Sequence, residues 1–463
     1  MSDSLLDRTE SQPGYVRRIW LSMFPSPLRP RSEREKTRFL LRNLILHFRP
    51  TLVPQRTLRF SLTFGLGGMA AVLILLQLFT GVLLKFVYEP FPTLAYESLV
   101  HLQGTFLFGP LIRNIHFWSA NFLILVVFLH GLRVFFTGAF HAPRQMNWVI
   151  GLTLFLLVLA SNLTGYLLPW DQLAYWATTI CVGMLEYIPL VGTGVQRAVL
   201  GGSQLGPPTL RNFYAVHTAV IPLLIVALMA FHFWRVRKAG GLVIPRSPGE
   251  HLLDKPITVP TVPHLLLREA TVALCLVAFV MGFAVVFDTP MGPPANPGFS
   301  PNPTKAPWYF AGVQEMLMHL HPSFALLIVF GSLLYAFLVL PYAYYPLTAP
   351  GVWFGSIKGR RTALVSLCAG VLISVVVIVL DEYLIDLVSW MPGLSQTLTN
   401  GVIPMVLLIS GLGGYYFLLK KLFKLSRIEA TQAVIVFVVV SLAIMTVTCY
   451  FFRGRGMSLT WPF

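Results

Sequence analysis

Four histidines carry the first chemical signal. His116 and His130 stand in one apolar stretch and His217 and His232 in another, at intervals of 14 and 15 residues. On an α-helix 14 positions return within about 40° of the starting direction and 15 within about 60°, so each pair shares a helix face with its members roughly 21–22 Å apart. If the two helices run parallel, His116 faces His217 and His130 faces His232. Two imidazoles facing each other across a bundle make an axial pair for one haem iron, and here there are two such planes at different depths. A single buried His is more simply a hydrogen-bonded core residue. Four at matched depths point to haem.

Glycines repeat the period. Gly67 and Gly81 lie in the preceding apolar stretch and Gly151 and Gly165 in the one between, each pair 14 apart. A porphyrin edge needs room against a helix, and only Gly removes the side chain; membrane helices also use Gly for close packing. By depth, Gly81 and Gly165 belong with the outer pair, Gly67 and Gly151 with the inner. Arg113, Arg133, Arg235 and Arg237 flank the histidines, where they would meet haem propionates or simply snorkel to the interface.

The elements that must hold these residues are membrane helices. Charged residues are 11% of the 463, and mean hydropathy is +0.71, too little polar surface for globular domains in water. Nine runs near twenty residues long read as spans: 60–84, 113–137, 147–168, 215–236, 267–287, 323–346, 362–386, 401–420 and 431–452. The expected fold is an all-α polytopic membrane protein: an N-terminal four-helix di-haem bundle followed by C-terminal helices. Its expected units are 1–59, a basic cytoplasmic segment lying against anionic lipid, then 60–240 and 241–463. No apolar signal core is read in residues 1–59. Cys181, Cys275, Cys368 and Cys449 are scattered and suggest neither a disulfide framework nor a Cys metal site.

The formal charge of +16 invites a nucleic-acid reading, but its distribution opposes it. With the N-terminus in the cytoplasm, nine alternating spans place 27 of the 34 Lys and Arg inside, while the 18 acids divide evenly. A bias in cations alone is the positive-inside rule. It also fixes the outer side, where two long segments rich in Pro, Gly and aromatics lie, 169–214 and 288–322.

The stretches "LGGMAAVLILLQLFTG", "LIRNIHFWSANFLILVVFLHGLRVFFTGAF", "NLTGYLLPWDQLAYWA" and "RNFYAVHTAVIPLLIVALMAFHFWRVRKAG" resemble cytochrome b of the bc-type quinol oxidoreductases. They resemble most its photosynthetic branch, with that branch's two polypeptides fused. The match is dense over 60–240 and looser over 264–345. The resemblance implies that His116 and His217 ligate an outer b haem and His130 and His232 an inner one. It also implies quinol oxidation between the "PWDQ" turn and the loop after the fifth helix, and quinone reduction near the inner haem, where His264 sits. The branch tethers a further haem through a Cys where this chain has Gly65, so two non-covalent haems and no covalent one are expected.

A second departure concerns proton chemistry. Where the family has Pro-Glu-Trp-Tyr, "PTKAPWYFAGVQEML" has Ala306-Pro307-Trp308-Tyr309. Pro307, Trp308 and Tyr309 keep the character of a quinone site, with Tyr309 beside the reacting group, but the glutamate that takes the quinol proton is missing. Pro307 suits the start of a short helix, on which Glu315 lies within about 20° of Trp308's face but roughly 10 Å further along. Glu315 could relay protons or occupy a solvated helix face. Asp171, in the "PWDQ" turn, is the other candidate.

The expected activity is that of a quinol oxidoreductase subunit of the quinol–cytochrome c or plastocyanin reductase type, in a proton-translocating complex. Its expected partners are a Rieske iron–sulfur protein and/or c-type cytochrome subunits, quinone and lipid, in a dimer of complexes within a bacterial inner membrane. Two other readings stand beside it: a di-haem membrane anchor for a non-Rieske quinone-linked oxidoreductase, and a transporter. The transporter would need an intramembrane relay of Asp, Glu or Lys.

Overall fold

A computed structural model describes residues 14–23, 52–188, 190–245, 256–342 and 351–461. Most of 1–59, together with the Asp254 region of the linker, lies outside these described residues.

Nine helices among them are long and apolar enough to cross a membrane. Element labels follow chain order. A short amphipathic helix α1 (Tyr15–Met23) precedes the first crossing, α2 (Leu66–Lys85). Next come the short helix α3 (Ala95–Thr105) and the crossings α4 (Gly109–Phe136) and α5 (Gln145–Tyr166). Outer helices α6 (Gln172–Gly183) and α7 (Gly192–Leu200) lead into crossing α8 (Pro207–Lys238). Crossing α9 (Thr261–Val286) is followed by the outer helix α10 (Trp308–His319). The last four crossings are α11 (Pro322–Val339), α12 (Ile357–Tyr383), α13 (Leu398–Phe423) and α14 (Arg427–Phe452).

Each crossing matches one apolar run expected from the sequence. The sixth ends at Val339, earlier than expected among the described residues. The short helices between crossings give little signal in a hydropathy profile, because each is too short to span.

The core of the N-terminal bundle is built from Leu73, Ile115, Ile124, Val158, Ile225 and Val280. The last of these belongs to α9, which packs on α2 and α4 and so joins the two blocks. A two-stranded antiparallel clip, β1 (Leu52–Pro54) with β2 (Thr258–Pro260), pairs Val53 with Val259 and ties the chain before α2 to the linker before α9. In the C-terminal block α14 packs against both α12 and α10. Gly370 of α12 permits that approach: a Cβ there would lie 3.0 Å from Val440. Leu364, Leu372, Leu407 and Leu418 point outward, as suits helices whose solvent is hydrocarbon.

Candidate functional site

The bundle places the four histidines in two facing pairs. The ring centroids of His116 and His217 are 6.3 Å apart, and those of His130 and His232 are 6.5 Å apart. Each glycine of the 14-residue pattern sits against one ring. A Cβ would lie 3.3 Å from the His130 ring at Gly67, 3.3 Å from His116 at Gly81, 3.4 Å from His232 at Gly151, and 2.5 Å from His217 at Gly165. The glycines thus clear space for the imidazoles themselves.

The interval of 15 on α8 has a local cause. Residues Val216–Val220 form a π-helical turn that includes His217. A π turn takes up one extra residue, so an interval of 15 there faces as 14 does on a regular helix. Such a turn leaves little trace in the residue pattern.

Hydrogen bonds set which nitrogen each outer ring offers. Nδ1 of His116 lies 2.8 Å from Thr80 Oγ1. Nδ1 of His217 lies 3.0 Å from the Ser161 carbonyl and 3.3 Å from Thr164 Oγ1. With Nδ1 engaged, Nε2 is the nitrogen left for a metal. Around the inner pair several buried polar atoms have no hydrogen-bond partner among the described residues: Asn147 Oδ1, His232 Nδ1, Arg144 Nε and Arg237 Nη1. His232 Nδ1 faces the Asn147 backbone without a hydrogen bond of ordinary geometry. Facing imidazoles, side chains withheld at four glycines and orphaned donors at the inner end fit a pair of haems with anionic propionates.

Three of the four arginines that flank the histidines have partners elsewhere. Arg113, buried on α4, donates to the carbonyls of Thr289 at 3.2 Å and Pro290 at 3.1 Å. It therefore holds the loop after α9. Arg133 donates from Nε to the Leu62 carbonyl at 2.8 Å. Arg235 donates to the Met23 carbonyl of α1 at 3.2 Å. His264, in the first turn of α9, is exposed.

On the outer side the "PWDQ" turn and the loop after α9 are latched together. Asp171 caps α6 by accepting from Ala174 N at 2.8 Å, and its second oxygen accepts from Gly292 N at 2.9 Å. Both oxygens serve structure, which weakens Asp171 as a proton acceptor. Pro307 is the residue before helix α10, as expected. Trp308 donates through Nε1 to Asn121 Oδ1 at 2.7 Å, and Trp308 and Tyr309 pack against the bundle core. Burial pushes the Tyr309 phenol well above its ordinary value, with Cys181 and Tyr166 nearby adding to the shift.

Glu315 departs most from the solvated-face reading. Its side chain is fully buried and gripped by Arg453, itself fully buried. Arg453 reaches the carboxylate at 2.7 Å from Nη2 and 3.0 Å from Nε. Arg453 also donates to Glu382 at 2.6 Å and to the Met457 carbonyl at 3.0 Å. Burial would raise the Glu315 carboxyl, but hydrogen bonds from His319 and Arg453 outweigh it and hold the group below its usual value. Sequence reading missed Arg453, because an arginine just beyond a span looks like an interfacial anchor.

A membrane bundle with facing histidine pairs and glycines against each ring fits a haem-binding membrane cytochrome. The comparisons agree. The cytochrome b/b6 family model matches residues 53–240. Cytochrome b6 of Acaryochloris marina is 41% identical over 180 residues, 39% of this chain and 84% of the relative; Mastigocladus laminosus cytochrome b6 gives the same figures. The chain belongs to the cytochrome b/b6 family, whose members bind b-type haem. A solved structure titled "Hyperthermophilic respiratory Complex III" shares the fold over 90% of this chain and 96% of its own, with TM-score 0.61 and 23% identity. That likeness extends the fold beyond the family-model match into the C-terminal helices.

Proposed function

We propose that this chain is the cytochrome b of a proton-translocating bc-type complex, oxidising quinol at the outer side and serving a quinone site at the inner side. The observation that carries the reading is the pair of facing histidines at each of two depths, with ring separations of 6.3 and 6.5 Å. His116 with His217, and His130 with His232, would hold two non-covalent b haems, which supply one-electron chemistry at two levels of the membrane. Residues 60–240 form the haem unit and 241–463 the quinol-site unit, with 1–59 at the cytoplasmic surface.

This chain's own residues position the substrate and handle protons. Trp308 and Tyr309 line the outer site from α10, and Asp171 and Arg113 fix the facing loop. Arg237, whose Nη1 is buried without a partner among the described residues, is the arginine best suited to an inner propionate. The electron acceptor is an external one-electron carrier, a Rieske iron–sulfur protein or a c-type cytochrome, in a dimeric complex of a bacterial inner membrane. His264 remains a candidate for the inner quinone site.

A second reading keeps the haems but not the chemistry: a di-haem anchor for a non-Rieske quinone-linked oxidoreductase. The proline at 307, where the family carries its base, favours it. Purification of the intact complex tests both. Two b-type redox components and a co-purifying Rieske subunit support the first; a different catalytic subunit supports the second; absence of haem overturns both.

A further inference from the structure

Quinol oxidation releases two protons, and the reacting hydroxyl needs a base within reach. Resting on the quinol-oxidising reading above, the question is how a proton leaves. Along the face of α10 that begins at Trp308, Ala311 and Gly312 come next, and neither has a side chain that can take a proton. Glu315 is the first ionisable group on that face.

Glu315 is sealed from water, yet it has a way out. Its Oε1 lies 3.3 Å from His319 Nε2, one turn further along α10. The opposite ring nitrogen, Nδ1, lies 2.6 Å from Asp381 Oδ2 on α12. Exposure rises step by step along this line, with side chains 0% exposed at Glu315, 12% at His319 and 36% at Asp381. Asp381 and His319 line a cavity of about 320 Å³ on the outer side, together with His321, Asp386, Thr399 and Asn400.

We propose that His319 is the proton outlet of the quinol-oxidising site, carrying protons from the sealed Glu315 to Asp381 and the outer cavity. Quinol oxidation supplies the proton, and its electrons would go to the external one-electron acceptor and to the haem that His116 and His217 would hold. In the transfer itself the Glu315 O–H bond breaks and an Nε2–H bond forms on His319. The Nδ1–H bond then breaks, and that proton passes to the Asp381 carboxylate or to cavity water. Exchange with cavity water, in which the ring loses the Nε2 proton and takes one back at Nδ1, restores the starting tautomer. Arg453 keeps Glu315 acidic, so a proton arriving there is passed on and not stored.

The charges around His319 are Glu315 on its own helix, Asp381 and Glu382 on α12, and Arg453 after α14. His321 and Asp386 share its cavity, and Tyr187 lies against the His321 ring. Burial disfavours the charged ring, but hydrogen bonds to Asp381 and Glu315 prevail and raise its pKa to about 9. Only the neutral ring accepts a proton, so turnover should rise with pH and level off near 9.

The test uses the intact complex with a short-chain quinol and an artificial one-electron acceptor. His319→Gln should lower turnover by about 10²-fold, the lower end for a lost general base. KM should stay within twofold, both b-haem potentials should be retained, and the inflection near pH 9 should vanish. Free imidazole should restore part of the rate to His319→Ala. A rate within threefold of wild type, or a fall accompanied by lost haem and no rescue by imidazole, overturns the outlet. Asp381→Asn, at the exposed end, guards against misfolding: an unchanged rate and pH profile there also overturns it. Failure of the wild-type complex to oxidise any quinol, with both haems present, would instead remove the parent reading.

Discussion

At Gly165 an added methyl would sit 2.5 Å from His217 Cε1, whereas at Gly151 the corresponding contact with His232 is 3.4 Å. The first forces the ring to move; the second is ordinary contact. Gly165→Ala should therefore lose the outer haem while Gly151→Ala keeps the inner one, read as one missing component in a redox titration. Two wild-type components in Gly165→Ala would break the assignment of that ring as a ligand. Arg453→Ala leaves Glu315 and Glu382 without their shared cation; breaking a buried ion pair this way costs about 3–5 kcal/mol. Thermal unfolding of the complex would show it, with Arg453→Lys intermediate. The cluster also predicts a pH dependence. Glu315, lowered from 4.5, stabilises above that value and loses its contribution as pH falls through its folded pKa. His319, raised from 6.5 to about 9, stabilises fully below 6.5 and loses its contribution as pH rises through 9. Melting temperature should peak between about pH 4.5 and 6.5, with an alkaline decline that His319→Gln abolishes. The histidine and glycine pattern was legible because its period is helical. The Glu315–Arg453 pair was not, because its members lie 138 positions apart and no periodicity links them.

Among the elements, α10 depends on α14 more than on its own helix-forming tendency. It is 12 residues long, short for a helix stable in isolation. Gly312 lets α14 come close: a Cβ there would lie 2.6 Å from Thr446 Oγ1 and 3.0 Å from the Leu442 carbonyl. Gly312→Ala should push α10 off α14 and displace Trp308 and Tyr309, lowering quinol oxidation about tenfold or more with haem content unchanged. Normal turnover in that variant would show that the outer site tolerates a shifted α10. The spans themselves could be read from hydropathy and α10 from Pro307 at its start, whereas α3, α6 and α7 could not. The π turn at His217 was equally hidden, since its cause is an extra residue in a continuous apolar run.

Across the whole molecule, the excess of Lys and Arg on one side predicts that this side faces the cytoplasm. A membrane-impermeant maleimide applied from outside should label Gln396→Cys, in the exposed segment before α13, and spare Lys421→Cys near the inner end of α13. Both positions are exposed, so the reverse pattern would invert the topology. The sequence resemblance was dense over the haem unit and thin beyond it. The shared fold over 90% of the chain shows that the C-terminal helices keep their arrangement while their residues diverge, as lipid-facing apolar surfaces allow.

The late position of Arg453 bears on the order in which the protein is made. Synthesis proceeds from the N-terminus, and units can fold as they emerge. All four histidines and their glycines have been translated by residue 232, so the haem-holding bundle can close while half the chain is still on the ribosome. The cation that grips Glu315 and anchors the quinol-site helix arrives more than two hundred residues later. Under the proposed function, electron-carrying capacity would come before substrate access during synthesis, and the helix carrying Trp308 and Tyr309 would lack its Arg453 anchor until the ninth helix is made.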